Sequence, residues 1–319
     1  MLAARTPARP ASAPMPRDVI IDTDIGVDID DAFAIADAVT DPGLRLLAVT
    51  TVSGNVRRRA RLVDRLLATV HRGDVPVGIG PATRGPFDEY GHAVADTQAR
   101  WADASPLPAR DWPAATALLR DAIRRAPGRI TLVCIGPLTN VAALAERDPV
   151  AFRTIARIAV MGGSIRVGYA DGATHLAKPP PVAEYNIAED VAAARVVFRA
   201  GVPIDLYPLD STQVRLERPQ RDLLFAQGTP LTDALTLLYH EWNEFSPWGG
   251  GTPTLYDVVP VVALTRPDLC PTQPMRIAID ARGYTRVVAG PPNARVCLRV
   301  AAEPLRELLL RRLSVAHVR

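Results

Sequence analysis

Five aspartates fall within ten residues near the start of the chain: Asp22, Asp24, Asp28, Asp30 and Asp31, in the run Asp18-Val-Ile-Ile-Asp-Thr-Asp-Ile-Gly-Val-Asp-Ile-Asp-Asp-Ala32. Carboxylates this close repel one another strongly wherever the dielectric is low. The N-terminus of a following helix offsets part of that repulsion, and a hard divalent cation held through oxygen is the natural remedy for the rest. The plain alternative is a solvated acidic turn in which Asp28 or Asp30 caps the helix. Spacing excludes one kind of cation loop. Counted from Asp22, an EF-hand needs glycine sixth and glutamate twelfth, where this chain has Val27 and Phe33.

The elements around the run decide between these readings. Apolar Val19–Ile21 precedes the aspartates and amphipathic Asp31–Val39 follows, so they are expected between a buried strand and a helix. The alternation continues with a strand at Leu44–Val52, a helix at Val56–Val70 and a strand at Val75–Ile79. After an irregular stretch, Gly80 to Arg110, come a helix near Trp112–Arg125, strand Ile130–Ile135, helix Thr139–Glu146 and strand Ile155–Val160. A second loop, Gly162 to Val182, leads to helix Val191–Ala200 and strand Pro203–Leu209. Helices at Pro219–Gln227, Leu231–Phe245 and Asp257–Leu264, strands Met275–Ile279 and Val296–Val300, and helix Glu303–Leu313 complete the pattern. This rhythm predicts an α/β fold with an open, doubly wound, mainly parallel sheet. Ligands in such folds bind beyond the carboxyl ends of the strands, which is where the aspartates fall.

The chain has 319 residues, 48% hydrophobic and 22% charged, with no internal repeat, consistent with one large domain over 17–319. Residues 1–16, rich in Ala, Pro and Arg, are expected to form a disordered N-terminal extension without a secretory apolar core. The net charge of +3 comes from scattered arginines, as at Arg57 to Arg65 and Arg306 to Arg312, which argues against a nucleic-acid partner. No apolar run is long enough for a membrane span. Cys134, Cys270 and Cys297 lie far apart, so neither a disulfide framework nor a zinc knuckle is expected, and a cytoplasmic location is the default.

Asp22-Thr-Asp-Ile-Gly26 followed by Asp30-Asp31-Ala32 resembles the signature of the inosine–uridine preferring nucleoside hydrolase family, with two extra residues in the loop. The resemblance runs on through Thr51-Val-Ser-Gly-Asn55, Ile135-Gly-Pro-Leu-Thr-Asn140, Met161-Gly-Gly163, Glu184-Tyr-Asn186 and Tyr256-Asp257, over almost the whole chain. Any one of these segments alone is weak; their order together is specific. A haloacid dehalogenase phosphohydrolase also opens with a strand and Asp-x-Asp. That class has Thr or Val where Gly26 stands, and it needs a later lysine and a further acidic motif; Lys178 is the only lysine here, and no such acidic pair follows it.

The resemblance implies hydrolysis of the N-glycosidic bond of a ribonucleoside to ribose and free base, assisted by Ca²⁺. It implies Asp24, Asp31, Asp257 and the main-chain carbonyl of Ile135 as metal ligands. Asp24 is the candidate general base toward water, and the neighbouring carboxylates favour a cationic sugar. Asp30, Asn186 and Asp257 are expected at the 2′ and 3′ hydroxyls, Glu184 nearer the 5′ end, Asn55 lining the pocket and Met161 against the sugar. Asn140 reads instead as turn or cap chemistry. Family members are commonly homodimers or homotetramers.

Three departures bear on specificity. Many pyrimidine-preferring relatives have His before the last metal-binding Asp, whereas this chain has Tyr256. An aromatic there resembles the purine-preferring branch, in which a tryptophan stacks on the base, so Tyr256 is a candidate to stack on the leaving base or to donate a proton. His92 and, less favoured, His240 are alternative acids, and Trp101 and Trp248 alternative stacking walls, though a packing role fits each of them too. Lys178 stands six residues before Glu184, where the family usually has an Asn touching the 5′ hydroxyl; it suggests a 5′-modified or anionic substrate, against the alternative of an exposed lysine beside prolines. A protein that binds nucleosides without cutting them is the remaining alternative.

Overall fold

The structure, a computed structural model, describes residues 15–82, 96–108, 110–170, 179–246 and 251–314. Its strands are β1 (Arg17–Thr23), β2 (Leu44–Thr51), β3 (Val77–Ile79), β4 (Thr131–Cys134), β5 (Arg157–Met161), β6 (Ile204–Tyr207), β7 (Thr272–Met275), β8 (Ile277–Ile279), β9 (Thr285–Val287) and β10 (Ala294–Cys297). Eight of them form one sheet in the order β3-β2-β1-β4-β5-β6-β10-β7, parallel except for the antiparallel β10–β7 pair at the edge. The expected doubly wound, mainly parallel α/β fold is what the chain adopts.

Apolar residues on successive positions explain why the sheet is covered on both faces. Val19, Ile21, Val49 and Val133 enter one apolar layer, while Ile20, Ala48, Leu132 and Cys134 enter the other. In-register pairs such as Ile21 with Val49 and Ile21 with Val133 join the central strands. Because β1 lies between β2 and β4, the chain winds away from it in both directions. The crevice at the carboxyl ends of β1 and β4 is therefore the topological switch point, where this architecture places ligands.

Two helices border that crevice. Asp30–Thr40 is short in side chains after its acidic first turn, with Ala32, Ala34, Ala36 and Ala38 all buried. This lets it sit close between the sheet and the Val258–Thr265 helix, which is apolar all round and accordingly buried. The final helix, Ala302–Ser314, clamps the first. Arg312 places Nη1 3.0 Å from both Asp37 oxygens and Nη2 2.5 Å from Asp41 Oδ2, while Thr265 Oγ1 donates to Asp41 at 2.6 Å.

Two expectations are corrected here. The strand expected at Met275–Ile279 divides at Arg276, with β7 joining the main sheet and β8 pairing antiparallel with β9 in a small ribbon. Strand β9 was not foreseen, since three residues with two exposed leave no apolar alternation to read. The cysteines also differ from expectation, for Cys270 and Cys297 form a buried disulfide with Cα atoms 5.7 Å apart, leaving Cys134 as the free thiol. Sequence spacing misses the pair because the antiparallel β10–β7 register, with Cys297 opposite Thr272, is what brings them together. The scattered cysteines thus no longer argue for a reducing compartment. Among the described residues no helix is long and apolar enough to cross a membrane.

Thiol titration of the denatured protein should count one thiol per chain before reduction and three after it. Reduction should lower stability by about 2–4 kcal/mol in chemical denaturation. Three thiols without reductant would show that the bridge does not form.

Candidate active site

The loop from Asp24 to Ile29 leaves β1 and turns into the first helix. Gly26 adopts φ of 124°, a backbone state that strains any residue with a Cβ. A neighbouring segment pins the loop: Thr97 Oγ1 donates to Val27 O (2.7 Å), Gln98 Nε2 to Asp28 O (2.6 Å) and Gln98 N to Gly26 O (3.3 Å). The capping alternative is not realised, since Ile29 occupies the N-cap position with no side-chain cap and Asp28 Oδ1 accepts from Ile29 N at 2.7 Å. Asp30 and Asp31 instead project from the first helical turn beside Asp257, which stands at the N-cap of the Val258–Thr265 helix.

Asp30, Asp31 and Asp257 each offer an oxygen within 4.8 Å of the others, and all three are buried. Asp257 N donates to Asp30 Oδ2 at 3.2 Å, and Thr23 Oγ1 makes a short hydrogen bond to Asp31 Oδ1. Burial pushes all three carboxyls well above the usual range, and the neighbouring carboxylates push them further. A wholly oxygen donor set under mutual repulsion, at two converging helix N-termini, fits a hard divalent cation.

Asp24 lies to one side of this group. Its Oδ2 is 3.7 Å from Arg59 Nη1. Its Oδ1 faces Gly136, where a Cβ would come within 2.9 Å of it. Burial raises the Asp24 carboxyl to about 6, against the opposing pull of Arg59. Of the expected ligands Asp24, Asp31, Ile135 and Asp257, the close carboxylate group holds Asp31 and Asp257 together with Asp30, while Asp24 Oδ2 faces Arg59.

The remaining residues arrive from the next strands. Ile135 follows β4 and its N donates to Asp22 O at 2.8 Å, while its carbonyl lies 3.4 Å from Asn186 Nδ2. The same Nδ2 is 3.3 Å from Met161 O and 3.4 Å from Met161 Sδ, so Ile135, Met161 and Asn186 do come together. Glu184 caps the Tyr185–Glu189 helix: Oε1 accepts from Asn186 N (2.9 Å), and Oε2 accepts from Gly163 N (2.7 Å) and Ile187 N (3.2 Å). Burial still raises it to about 7. Tyr256, partly buried, meets Tyr169 edge-on at 6.1 Å, and Tyr169 Oη accepts from Tyr185 N at 3.0 Å.

Asn55, expected to line the pocket, is exposed at the N-cap of the Val56–Ala68 helix, where its Oδ1 accepts from Arg58 N at 3.1 Å and supplies an acceptor that the first turn needs. Trp101 takes the packing role of the two expected for it, 6% exposed within the core with Arg65 stacked 4.2 Å above its ring. His240 is exposed beside Tyr239. His92, Lys178 and Trp248 lie outside the described residues.

Several residues of the site had no assigned role in the sequence reading. Asp22 is fully buried and joins three elements, its Oδ1 accepting from Thr50 Oγ1 (2.5 Å) and Asn140 Nδ2 (2.8 Å); Asn140 Nδ2 also lies 3.1 Å from Thr51 O. Asn140 is therefore a strut for the strand ends. Arg59, Tyr169 and Tyr185 were likewise unassigned. For Arg59 a signal existed: it falls on the stripe Val56, Arg59, Ala60, Val63, where helical periodicity demands buried side chains.

Residues 19–307 match the family model described as inosine-uridine preferring nucleoside hydrolase. A non-specific ribonucleoside hydrolase, RihC, of Escherichia coli (strain SMS-3-5 / SECEC) is 34% identical over 83% of this chain and 84% of its own length. A pyrimidine-specific ribonucleoside hydrolase, RihA, of Citrobacter koseri is 30% identical over 93% and 97%. Among solved structures, the plant nucleoside hydrolase PpNRh1 superposes with a TM-score of 0.78 at 28% identity, covering 94% of this chain and 99% of that one. The chain belongs to the inosine-uridine preferring nucleoside hydrolase family. It is an enzyme of the N-glycosyl hydrolase class, a ribonucleoside hydrolase.

The buried carboxyls set the pH dependence of the metal-free protein. Asp22 and Glu184 are raised to about 7, and Asp24 and Asp28 to about 6. A raised folded-state pKa means that the folded form holds more protons than the unfolded one, so its stabilising effect is complete below about pH 4 and is lost as pH rises through about 6–7. Metal-free protein should therefore melt at a lower temperature at pH 8 than at pH 5.5, and a divalent cation should raise the melting temperature more at pH 8. Equal shifts at the two pH values would contradict this account.

Proposed function

We propose that the enzyme cleaves ribonucleosides with the assistance of Ca²⁺, Asp24 acting as general base. What supports this is the buried group Asp30, Asp31 and Asp257, with Asp24 Oδ1 facing Gly136 and the neighbouring Ile135 carbonyl 3.4 Å from Asn186 Nδ2. Oxygen-only donors in a multi-carboxylate cluster suit Ca²⁺ better than softer ions. When bound, the ion supplies Lewis acidity and gathers water and a ribose diol.

The protein's residues supply the rest. Hydrolysis joins a water oxygen to C1′ and breaks the C1′–N bond, whose electron pair departs with the base. Asp24 takes the proton from the water. The carboxylates around it favour the positive charge that builds on the sugar ring. Asp30, Asp257 and Asn186 are the partners proposed for the 2′ and 3′ hydroxyls. Met161 packs on the sugar, and Glu184, fixed by three backbone donors, closes the 5′ side. Tyr256 is proposed to stack on the departing base, supported by its edge contact with Tyr169. Relatives are named both non-specific and pyrimidine-specific, whereas an aromatic before Asp257 favours purines, so the base preference proposed here is purine. A 5′-modified nucleoside is the second reading, resting on Lys178.

A reducing-sugar assay on purine, pyrimidine and 5′-modified nucleosides tests this directly, run with Ca²⁺ and with chelator. Ribose release should disappear with chelator and fall by about 10²- to 10⁴-fold in Asp24→Ala. Release insensitive to chelator would refute the metal role. Phosphate released in place of ribose would identify a phosphohydrolase, and tight binding without release a nucleoside-binding protein.

For the compartment we propose that the Cys270–Cys297 bridge favours an oxidising one over the expected cytoplasm, and for assembly a homodimer or homotetramer. Trapping thiols in intact cells tests the first, since an oxidised Cys270–Cys297 pair there would point to an oxidising compartment.

A further inference from the structure

Among the described residues Arg59 is the largest fully buried side chain, 1% exposed, and none of its three guanidinium nitrogens has a hydrogen-bond partner among them. Burying a guanidinium without acceptors is costly unless opposite charge offsets it. The offset is close at hand in Asp24, 3.7 Å away, with Asp31 and Glu189 also within electrostatic reach. The chain makes room for the group deliberately. Ser53 and Gly54 both turn left-handed, with φ of 62° and 56°, and a Cβ on Gly54 would lie 3.0 Å from Arg59 Nη2. Gly26 passes the stem on the other side, a Cβ there falling 3.8 Å from Arg59 Cγ.

The two oxygens of Asp24 therefore face different neighbours. Oδ2 is turned to Arg59, and Oδ1 to Gly136, next to the Ile135 carbonyl. We propose that Arg59 is a positioning residue that competes with the divalent cation for Asp24, an internal positive charge holding the carboxylate in place and setting how tightly the site takes its ion. This rests on the reading of the crevice as a divalent-cation site. The contact is a charge contact without a hydrogen bond, so Asp24 can be shared with an ion at little cost in broken bonds. The fixed positive charge also makes every cation bind less tightly than the carboxylates alone would dictate.

Calorimetric titration of the metal-free protein with Ca²⁺ at pH 8 tests this, on wild type, Arg59→Met, Arg59→Gln and Arg59→Lys. Removing one unit charge so near a dication should tighten binding by roughly tenfold or more in the Met and Gln variants. The Lys variant, which keeps the charge, should stay close to wild type. In the absence of metal, the neutral variants should melt at lower temperature than wild type, and Ca²⁺ should raise their melting temperature by a larger step. Should the Met variant not fold, the Gln variant, with a polar amide in the same place, carries the comparison. Unchanged or weaker Ca²⁺ binding in a folded neutral variant, with wild type binding normally, overturns the role of Arg59 alone. Absence of Ca²⁺ binding in wild type and variants alike overturns the cation site and with it this inference.

Discussion

Concentrated negative charge, held away from water at the carboxyl ends of β1 and β4, is the constraint around which the rest of this protein is organised. Asp22, Asp24, Asp30, Asp31 and Asp257 are all buried, and none would be tolerated in an ordinary core. Different devices offset each. Asp22 is satisfied by the Thr50 hydroxyl and the Asn140 amide, Asp24 faces Arg59, and Asp31 accepts from Thr23. Asp30 and Asp257 meet where two helices begin. The doubly wound sheet makes this possible because only its switch point lets a strand end, a loop and helix starts converge on one crevice.

Rigidity around the crevice follows from the same requirement. The acidic loop is anchored by the buried side chains of Ile25, Val27 and Ile29, and Thr97 and Gln98 hold it further through its backbone carbonyls. The helix that carries Asp30 and Asp31 is fastened at its far end by Arg312 and Thr265, through Asp37 and Asp41. Such distant fastening keeps like charges at fixed separation, which a dication needs if it is to find its ligands already in place.

Much of the fold was legible because its signals are local. Short apolar runs alternating with helical periodicity gave the sheet, and the aspartate run gave the site, since those residues lie together in the chain. What escaped depended on contacts between distant segments. The Cys270–Cys297 bridge depends on an antiparallel register at the sheet edge, and β9 on a hairpin too short to show alternation. Arg59 was read only as one of the scattered arginines of Arg57 to Arg65, although its place on an apolar stripe required it to point inward. Charge and motif tell what a residue can do; only packing tells which way it faces.

The fastening of the first helix also has a consequence for the birth of the protein. Asp30 meets Asp257 across 227 residues, and Asp37 meets Arg312 across 275. Strand β10 must also slip between β6 and β7 after β7 has been made. The acidic loop is therefore made well before the segments it meets, and during synthesis it waits, self-repelling, for partners more than two hundred residues further on. The spacing of Asp30 and Asp31 thus depends on a helix, Ala302–Ser314, remote from them in sequence.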